Sequence, residues 1–348
     1  MPELVATVVV PTLAADRRLL ECLESLGRQT RRDFEVIVVD NSGRGLVQAQ
    51  DLPFGRATPQ GQRALPAIRV IESSRNEGYG KAINLALRTS TAAYLATLND
   101  DAVAHPDWLD AMVGALERRP DAGMCASQVR LYGEQRLDSA GMLLARDGSS
   151  KQRGQGRPPG DFPVEEEVLL PSGSAALYRR AMLEEMGGFD DHFFLYCEDT
   201  DLGLRARWLG WKCLYSPSAV VEHHYSHSAG GASPLKAYLV ERNRLFVLAK
   251  NFPARMLWPA PFSAAARYFW HFVYLARGRG SAARFRAGGH NPGRMLWYVV
   301  QAHAALLWHA RWLWRERRQI QRTARITPAV FRTLARSGAI SARRMAEL

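Results

Sequence analysis

Short hydrophobic runs alternate with segments of helical periodicity through the first 120 residues. The strand-like runs are Thr7–Pro11, Phe34–Val39, Ile68–Glu72 and Ala93–Leu98. Four leucines between the first two runs recur at the spacing of one helix face, and Gly27 is the predicted end of that helix. Further helices are predicted over Tyr79–Arg88 and Pro106–Arg118. This alternation predicts an α/β fold with a mainly parallel sheet flanked by helices, in which ligands bind at the carboxyl ends of the strands.

The sequence changes character near residue 251. Aromatic residues crowd the segments Met256–Ala276 and Met295–Trp314, but arginines and prolines interrupt them. A helix that spans a membrane needs about 20 apolar residues, whereas aromatics mixed with arginines suit helices that lie in the membrane interface. We therefore predict one domain over 1–250 and a helical, membrane-interface extension over 251–348. A buried helical subdomain and a transmembrane hairpin are the alternatives.

The charge follows the same division. Residues 251–348 contain 17 arginines, no lysine and 2 glutamates, whereas the whole chain carries a net charge of +12. The first 250 residues are therefore slightly acidic, which argues against nucleic acid as a partner of that part. The basic, tryptophan-rich end predicts contact with an anionic membrane surface.

Cysteine usage and the first residues bear on the compartment. The four cysteines form no CxxC pair, which favours reduced thiols over disulfides or a zinc site. The first residues, MPELVATVVVPT, lack the basic region of a signal peptide. Together with the basic end, these features predict a cytoplasmic protein, peripheral on the inner face of the cell membrane.

Polar clusters follow three of the hydrophobic runs. Glu198, Asp199 and Asp201 come directly after FFLYC, Asn99-Asp100-Asp101 ends a strand, and His223-His224 ends another. Two carboxylate groups and an imidazole at element ends suggest a metal-assisted enzyme with a separate base. The plainer alternatives are a helix start, a helix N-cap ahead of Pro106, and a polar loop.

Seven motifs together resemble the inverting family-two glycosyltransferases of the GT-A fold, in the rhamnosyltransferase-like and galactofuranosyltransferase-like branch. They are VVVPT at 8–12, VVDNS at 38–42, NEGYGKAIN at 76–84, TLNDDA at 97–102, SGSAALYRR at 172–180, GGFDDHFFLYCEDTDLGLRARWLGW at 187–211, and HHYSHS with ERNR at 223–228 and 241–244. The resemblance covers about 5–250. It implies a Rossmann-like, mainly parallel mixed sheet and transfer of a sugar from a nucleotide diphosphate.

The resemblance implies a divalent metal, Mn²⁺ or Mg²⁺, at TLNDDA, a variant of the family's DxD motif in which Asn99 replaces the first acid. Asp101 matches the metal-binding acid, and Asn99 and Asp100 would support the ribose, the sugar or the metal. His223 matches a histidine that ligates the metal or touches the pyrophosphate, with His224 and His227 as alternatives. Oxygen and imidazole ligands suit such ions.

The other donor contacts are implied by the same motifs. Asp40 would accept a hydrogen bond from the uracil or thymine base, although an aspartate before Asn41-Ser42-Gly43 is also an ordinary turn former. The further donor-binding residues are Pro11, Thr12, Asn76, Gly78, Gly80, Ser172 and Gly173. The glycines of NEGYG would let the backbone approach a phosphate. Trp208 or Trp211 would shape a sugar pocket.

Asp199 aligns with the second acid of the family's ED motif and is the predicted general base. It would take the proton from the acceptor hydroxyl, with Glu198 beside it. Asp201 is expected to cap the next helix or to pair with Arg205. The resemblance thus implies inverting transfer, with dTDP-L-rhamnose as first choice of donor and a UDP-sugar (galactofuranose or hexose) as second. The acceptor would be a cell-surface glycan or a polyprenyl-linked glycan. The alternatives from other classes are a non-catalytic nucleotide-sugar-binding scaffold and a nucleic-acid-binding protein.

Overall fold

The computed structural model describes residues 4–52, 67–224 and 233–348. The strands are β1 Ala6–Thr12, β2 Phe34–Asp40, β3 Ala67–Glu72, β4 Tyr94–Leu98, β5 Ala102–Ala104, β6 Ala122–Leu131, β7 Leu137–Ser139, β8 Met142–Leu144, β9 Ser150–Gln152, β10 Glu166–Val168, β11 Ala175–Arg179 and β12 Lys212–His223. The helices are α1 Arg17–Gly27, α2 Tyr79–Thr89, α3 Trp108–Arg118, α4 Arg180–Met186, α5 Glu198–Trp208, α6 Pro234–Asn251, α7 Ala254–Leu257, α8 Ala260–Ala276, α9 Gly280–Ala287, α10 Arg294–Trp308, α11 Ala310–Thr323, α12 Pro328–Ser337 and α13 Ala342–Glu347.

One mixed sheet organises the chain. Its strands run in the order β10-β12-β6-β11-β4-β1-β2-β3, with β5 paired to β12 and β7 to β6. The β4-β1-β2-β3 half is parallel, and β11 joins it antiparallel to the parallel pair β6–β12. The predicted α/β fold with a mainly parallel sheet is confirmed.

Both faces of the sheet are covered, which explains why its central strands read as unbroken hydrophobic runs. Val8 and Val10 of β1 belong to one buried cluster with α1 and α3, whereas Val9 belongs to the cluster on the other face with α2. Successive strand residues point to opposite faces, so one uninterrupted valine run contributes to both layers.

The predicted element boundaries hold within a few residues, but the strands β5 to β11 were not predicted. The helix predicted from Pro106 begins at Trp108, and Asp107 rather than the Asn99–Asp101 cluster occupies its N-cap. Between the cluster and the helix lies β5, whose partner β12 is more than 100 residues away in sequence. A three-residue strand of this kind has no periodicity of its own and forms only because its distant partner is present.

The C-terminal helices share a core with the sheet domain. Trp208 of α5 stacks on Phe331 of α12 with ring centroids 4.4 Å apart, and its indole nitrogen donates to the Asn251 carbonyl. The interpretation of Trp208 as a pocket residue is therefore wrong, because the ring is buried between two helices. Trp211 instead donates to Glu185 at the surface. Within the described ranges, no helix is both long and apolar enough to cross a bilayer.

A buried ion-pair cluster fastens α8 to the sheet domain. Arg267 of α8 reaches Asp147 in the β8–β9 turn at 2.6 Å and Glu241 of α6 at 2.9 Å. All three side chains are less than a tenth exposed. Arg244 and Tyr268 also bond Glu241. Burial raises the pKa of Glu241, but the adjacent Arg267 and Arg244 outweigh it and hold the pKa at about 2.

Removing one member of such a cluster leaves the others charged and unpaired in a dry environment. Arg267→Ala is expected to lower the free energy of unfolding by about 3–5 kcal/mol. Arg255→Ala, which removes an exposed arginine of α7, is the matched control and should change it by less than about 0.5 kcal/mol. Denaturant unfolding measures both, and equal effects would show that the cluster does not anchor α8.

Candidate active site

The carboxyl ends of the parallel strands bring the first set of predicted residues together. Thr12 ends β1 and lies opposite Asp40, which ends β2. Asn99, Asp100 and Asp101 follow β4 on the other side of β1. The Thr12 hydroxyl donates to Asp100 at 2.6 Å. The predicted donor residues Pro11, Thr12 and Asp100 therefore meet at one edge of the sheet.

His223 reaches this edge through the pairing of β12 with β5. That pairing sets His223 opposite Ala102, directly beside Asp101. The His223 Nε2 atom lies 3.0 Å from Asp101 Oδ1 and 3.3 Å from the Asn99 side-chain nitrogen. The predicted metal pair Asp101 and His223 is thus in contact. His224 stacks on Tyr132 instead, and His227 lies outside the described residues.

The other nitrogen of His223 has a partner that the sequence analysis missed. Asp138 of β7 lies 2.9 Å from His223 Nδ1, and both side chains are buried. Burial lowers the pKa of His223, but Asp101 and Asp138 outweigh it and raise the pKa to about 10. No sequence signal distinguishes Asp138, because the hairpin β6–β7 alone puts it beside β12.

The residues at this edge fit a divalent metal. Among the described residues, Asp101 Oδ1 has no hydrogen bond of good geometry, although it is buried and pairs with His223. A carboxylate oxygen and an imidazole nitrogen that lie 3.0 Å apart could both contact one divalent ion. Asp138 would fix the ring so that Nε2 faces the metal, a common arrangement around metal-bound histidines. The described residues hold no group of three or more His, Cys, Asp or Glu side chains that could bind such an ion together.

The second pair of carboxylates begins α5. Glu198 is buried, and Asp199 is half-buried. Asp199 Oδ2 accepts from the Gly173 backbone at 2.9 Å, and Oδ1 accepts from the Thr200 backbone at 2.6 Å and from its hydroxyl at 3.2 Å. Burial raises the pKa of Asp199, and it raises the pKa of Glu198 well above its ordinary value with help from the charge of Asp199. A carboxylate with a raised pKa is a better proton acceptor.

A single turn connects the metal pair to these carboxylates. The Ser174 carbonyl accepts from the Asn99 backbone at 2.9 Å, while the Gly173 backbone donates to Asp199. The Gly173 carbonyl accepts from Tyr79 at 2.5 Å and from Thr97 at 2.9 Å. Gly173 and Ser174 therefore form backbone bonds to both acidic groups.

Asp40 and the glycines of the NEGYG segment have partners within the protein. The two Asp40 oxygens accept from the Ser42 and Val47 backbones at 3.0 and 2.9 Å. A Cβ at Gly78 would lie 2.2 Å from the Phe194 carbonyl oxygen, and one at Gly80 would lie 2.9 Å from Phe189. The missing side chains thus make room for the segment before α5. Contacts of Asp40, Asn76, Gly78 and Gly80 with a donor stay predictions.

A strained loop presents Glu198 and Asp199. Phe194, Tyr196 and Cys197 all have φ between 64° and 69°, a conformation that side chains other than glycine disfavour. The Asn243 amide nitrogen lies 2.9, 2.8 and 2.6 Å from the carbonyl oxygens of Phe193, Leu195 and Tyr196. Asn243 lies in the ERNR motif, whose sequence alone predicts no role for it.

Comparison with known proteins decides the family. The model of glycosyl transferase family 2 matches residues 7–187. The chain belongs to this family. It is therefore an inverting, nucleotide-sugar-dependent glycosyltransferase. A Mycobacterium tuberculosis protein described as N-acetylglucosaminyl-diphospho-decaprenol L-rhamnosyltransferase is 32% identical over 255 residues, which are 65% of this chain and 78% of that protein.

Solved structures confirm the fold of this family 2 glycosyltransferase. The mannosyltransferase PcManGT from Pyrobaculum calidifontis, in complex with GDP-Man and Mn²⁺, has a TM-score of 0.51 at 20% identity and 88% coverage of both chains. GalNAc-T7 with UDP, GalNAc and Mn²⁺ has a TM-score of 0.57 at 13% identity, over 76% of this chain and 51% of that one. The GT-A fold implied by the motifs is confirmed.

The raised pKa of Glu198 predicts how the stability of this glycosyltransferase depends on pH. Because the folded pKa exceeds the unfolded one, the stability that Glu198 contributes is full below its ordinary pKa and is lost as pH rises through the folded pKa. Glu198→Gln should therefore match the wild type in acid. Once the pH rises above the folded pKa of Glu198, the melting temperature of the variant should exceed that of the wild type by about 1–3 °C.

Asp201 of the same helix is the matched control, because it is buried but paired with Lys250 and Arg205 at 2.9 and 2.8 Å. Asp201→Asn should lower the melting temperature at neutral pH, since it leaves Lys250 buried without that charge. Scanning calorimetry across pH compares the two variants. If the melting temperature of Glu198→Gln does not increase relative to that of the wild type as the pH rises, the raised pKa of Glu198 is contradicted.

Proposed function

We propose that this enzyme transfers L-rhamnose from dTDP-L-rhamnose to a hydroxyl of an N-acetylglucosamine linked through a diphosphate to a polyprenol. The mycobacterial relative supports both the sugar and the acceptor. The observation that carries the proposal is the turn at Ser172–Ser174, which bonds Asn99 beside the metal pair and Asp199 beside the acceptor. A donor between these groups has its leaving diphosphate at one end and the attacking hydroxyl at the other.

A divalent ion is part of the proposal. Asp101 and His223 would hold the ion. The presence of Mn²⁺ in the structures of GalNAc-T7 and PcManGT, which share the fold, supports a divalent ion. When bound, the ion would neutralise charge on the diphosphate as it leaves. Asn99 and Thr12-bound Asp100 lie where they would orient the donor next to it.

Asp199 does the proton chemistry in this proposal. Its Oδ2 atom has one hydrogen-bond partner against two for Oδ1 among the described residues, so Oδ2 retains more acceptor capacity for the substrate proton. As the acceptor oxygen bonds to the anomeric carbon, its proton passes to Asp199 and the carbon–oxygen bond to the diphosphate breaks. Attack opposite the leaving group inverts the anomeric configuration.

The C-terminal region would bring the enzyme to its lipid-linked acceptor. Helix α10 has one exposed apolar face, formed by Leu296, Trp297, Val300, Leu307 and Trp308, and α8 exposes Phe262, Phe269 and Phe272. These faces lie in a segment with 17 arginines and 2 glutamates. Aromatic side chains beside arginines suit an anionic lipid surface. The four cysteines are free and buried, which supports a position on the cytoplasmic face.

A donor panel tests the function. The wild type should release nucleoside diphosphate fastest from dTDP-L-rhamnose with the diphosphate-linked acceptor, and chelation should suppress the reaction until Mn²⁺ or Mg²⁺ is restored. Asp199→Asn should lower kcat by about 10³-fold or more while leaving the donor Kd within about twofold, because the base is lost but the donor end of the site is intact. Substantial turnover by Asp199→Asn would refute the role of Asp199 as the general base. A preference for a UDP-sugar would refute dTDP-L-rhamnose as the donor.

Vesicle binding tests the membrane surface. Deleting 251–348 is unsuitable, because those residues share a core with the sheet domain. Leu307→Ser with Trp308→Ser should weaken binding to phosphatidylglycerol-containing vesicles by about tenfold or more, as two exposed apolar anchors are lost. Val164→Ser, at an exposed valine of the sheet domain, is the control. If the double variant sediments with the vesicles as the wild type does, the α10 face does not bind the membrane.

A further inference from the structure

The hydroxyl of Thr200 lies between two oxygen acceptors in the first turn of α5. It can donate to Ser150 Oγ of β9 at 2.8 Å or to Asp199 Oδ1 at 3.2 Å. A hydroxyl has a single hydrogen, so Thr200 fully serves one of the two acceptors at a time. The Thr200 side chain is 0% exposed, and water therefore cannot replace either partner.

The turn between β8 and β9 fixes the position of Ser150. Gly148 in this turn has a φ of 86°, and a Cβ there would lie 2.5 Å from the Arg244 carbonyl oxygen of α6. The Arg244 guanidinium in turn donates to the Asp147 carbonyl at 3.1 Å. The turn is thus packed directly on α6, and Ser150, which begins β9 one residue after it, is a fixed alternative acceptor for the Thr200 hydroxyl.

The other donors to Asp199 are backbone groups that stay in place. Oδ1 accepts from the Thr200 backbone at 2.6 Å, and Oδ2 accepts from the Gly173 backbone at 2.9 Å. The Thr200 hydroxyl is the donor that can turn away. Because an ionised carboxylate is a stronger acceptor than a neutral oxygen, the hydroxyl favours Asp199 while that residue is ionised and Ser150 once it is protonated.

Hydrogen-bond donors matter to Asp199 because its titratable neighbours do not stabilise its charge. Burial raises the pKa of Asp199, and the donors from Gly173 and Thr200 partly offset that rise. Burial also raises the pKa of each titratable side chain on which the charge of Asp199 acts. These side chains are Tyr79 of α2, Tyr178 of β11, Cys197 before α5 and Glu198 of α5. None of the four is a cation.

We propose that Thr200 is a positioning residue for the base, whose hydroxyl holds Asp199 Oδ1 while Oδ2 faces the acceptor, and turns to Ser150 when Oδ2 has taken the proton. The inference rests on the proposed function, in which Asp199 is the base. The proton of the acceptor hydroxyl moves to Oδ2, and the hydrogen of Thr200 stays on its own oxygen. Only the direction of one hydrogen bond changes at Thr200.

Two substitutions should move the acid limb of the kcat profile in opposite directions. In Thr200→Val the ionised base loses a donor, so the limb should move to higher pH by about 0.5–1 unit. In Ser150→Ala the Thr200 hydrogen has no second acceptor when Asp199 is protonated. Protonation then costs more, and the limb should move to lower pH by about 0.3–1 unit. Steady-state kinetics across pH, with dTDP-L-rhamnose and N-acetylglucosamine linked through a diphosphate to a short prenol, measures both.

Conservative variants separate this role from a structural one. Thr200→Ser keeps a hydroxyl at the same place and should keep the wild-type profile. Ser149→Ala, at the neighbouring buried serine, whose side chain makes no hydrogen bond to α5 among the described residues, is the matched control for Ser150→Ala. Loss of activity at every pH with an unmoved acid limb would show that the Thr200 contacts are only structural. Shifts of the same sign in Thr200→Val and Ser150→Ala would also overturn the inference.

A titration without substrate distinguishes this inference from the proposed function. In protein labelled with carbon-13 at the aspartate carboxyl, the NMR signal that Asp199→Asn removes reports the protonation of Asp199. Its midpoint should rise in Thr200→Val and fall in Ser150→Ala, and equal midpoints in all three proteins would overturn the inference. If the wild type transfers no sugar, or if Asp199→Asn turns over well, the proposed function fails. The NMR midpoints still decide whether the Thr200 hydroxyl follows the charge of Asp199.

Discussion

The loop from Phe194 to Cys197 holds its shape only while its carbonyl oxygens have partners. Three non-glycine residues with positive φ each cost about 1–3 kcal/mol. The Asn243 amide faces the carbonyls of Leu195 and Tyr196 and that of Phe193 just before the loop, and the Tyr79 backbone bonds the carbonyl of Phe194 at 2.7 Å. The loop is thus clamped between α6 and α2. Without both contacts α5 would lose the fixed start that places Glu198 and Asp199.

This constraint links the proposed donor and acceptor sides of the enzyme. Gly78 has no side chain because the Phe194 carbonyl occupies that space, and the same glycine accepts from Asn41 beside Asp40. The side-chain oxygen of Asn41 also accepts a hydrogen bond from the Glu77 backbone N–H. The end of β2, the start of α2 and the start of α5 are therefore one connected unit. A side chain at Gly78 would collide with the Phe194 carbonyl and so displace the segment that leads to the proposed base Asp199.

The sequence predicts local elements well because their signals are local. β1, β2, β4, α2 and α3 appear where periodicity and β-branched residues indicate them. The paired Asp101 and His223 could be predicted only from the motif resemblance, since they meet only where β12 pairs with the distant strand β5. Asp201, expected to cap a helix or to pair with Arg205, does pair with it, but its pairing with Lys250 depends on α6 and has no sequence signal.

The residues whose roles the sequence does not predict share one physical property. Asp138, Asn243 and the buried Arg267 act through contacts made between elements that are far apart in the chain. Each is an ordinary polar residue in sequence, and its importance comes from burial, which removes water as the competing partner. Burial also explains why the two acidic groups behave differently. Asp101 is buried against an imidazole and its pKa falls, whereas Glu198 is buried without a cation and its pKa rises. One sheet edge thereby holds a carboxylate whose pKa is lowered and, across the turn at Gly173, two carboxylates whose pKa values are raised.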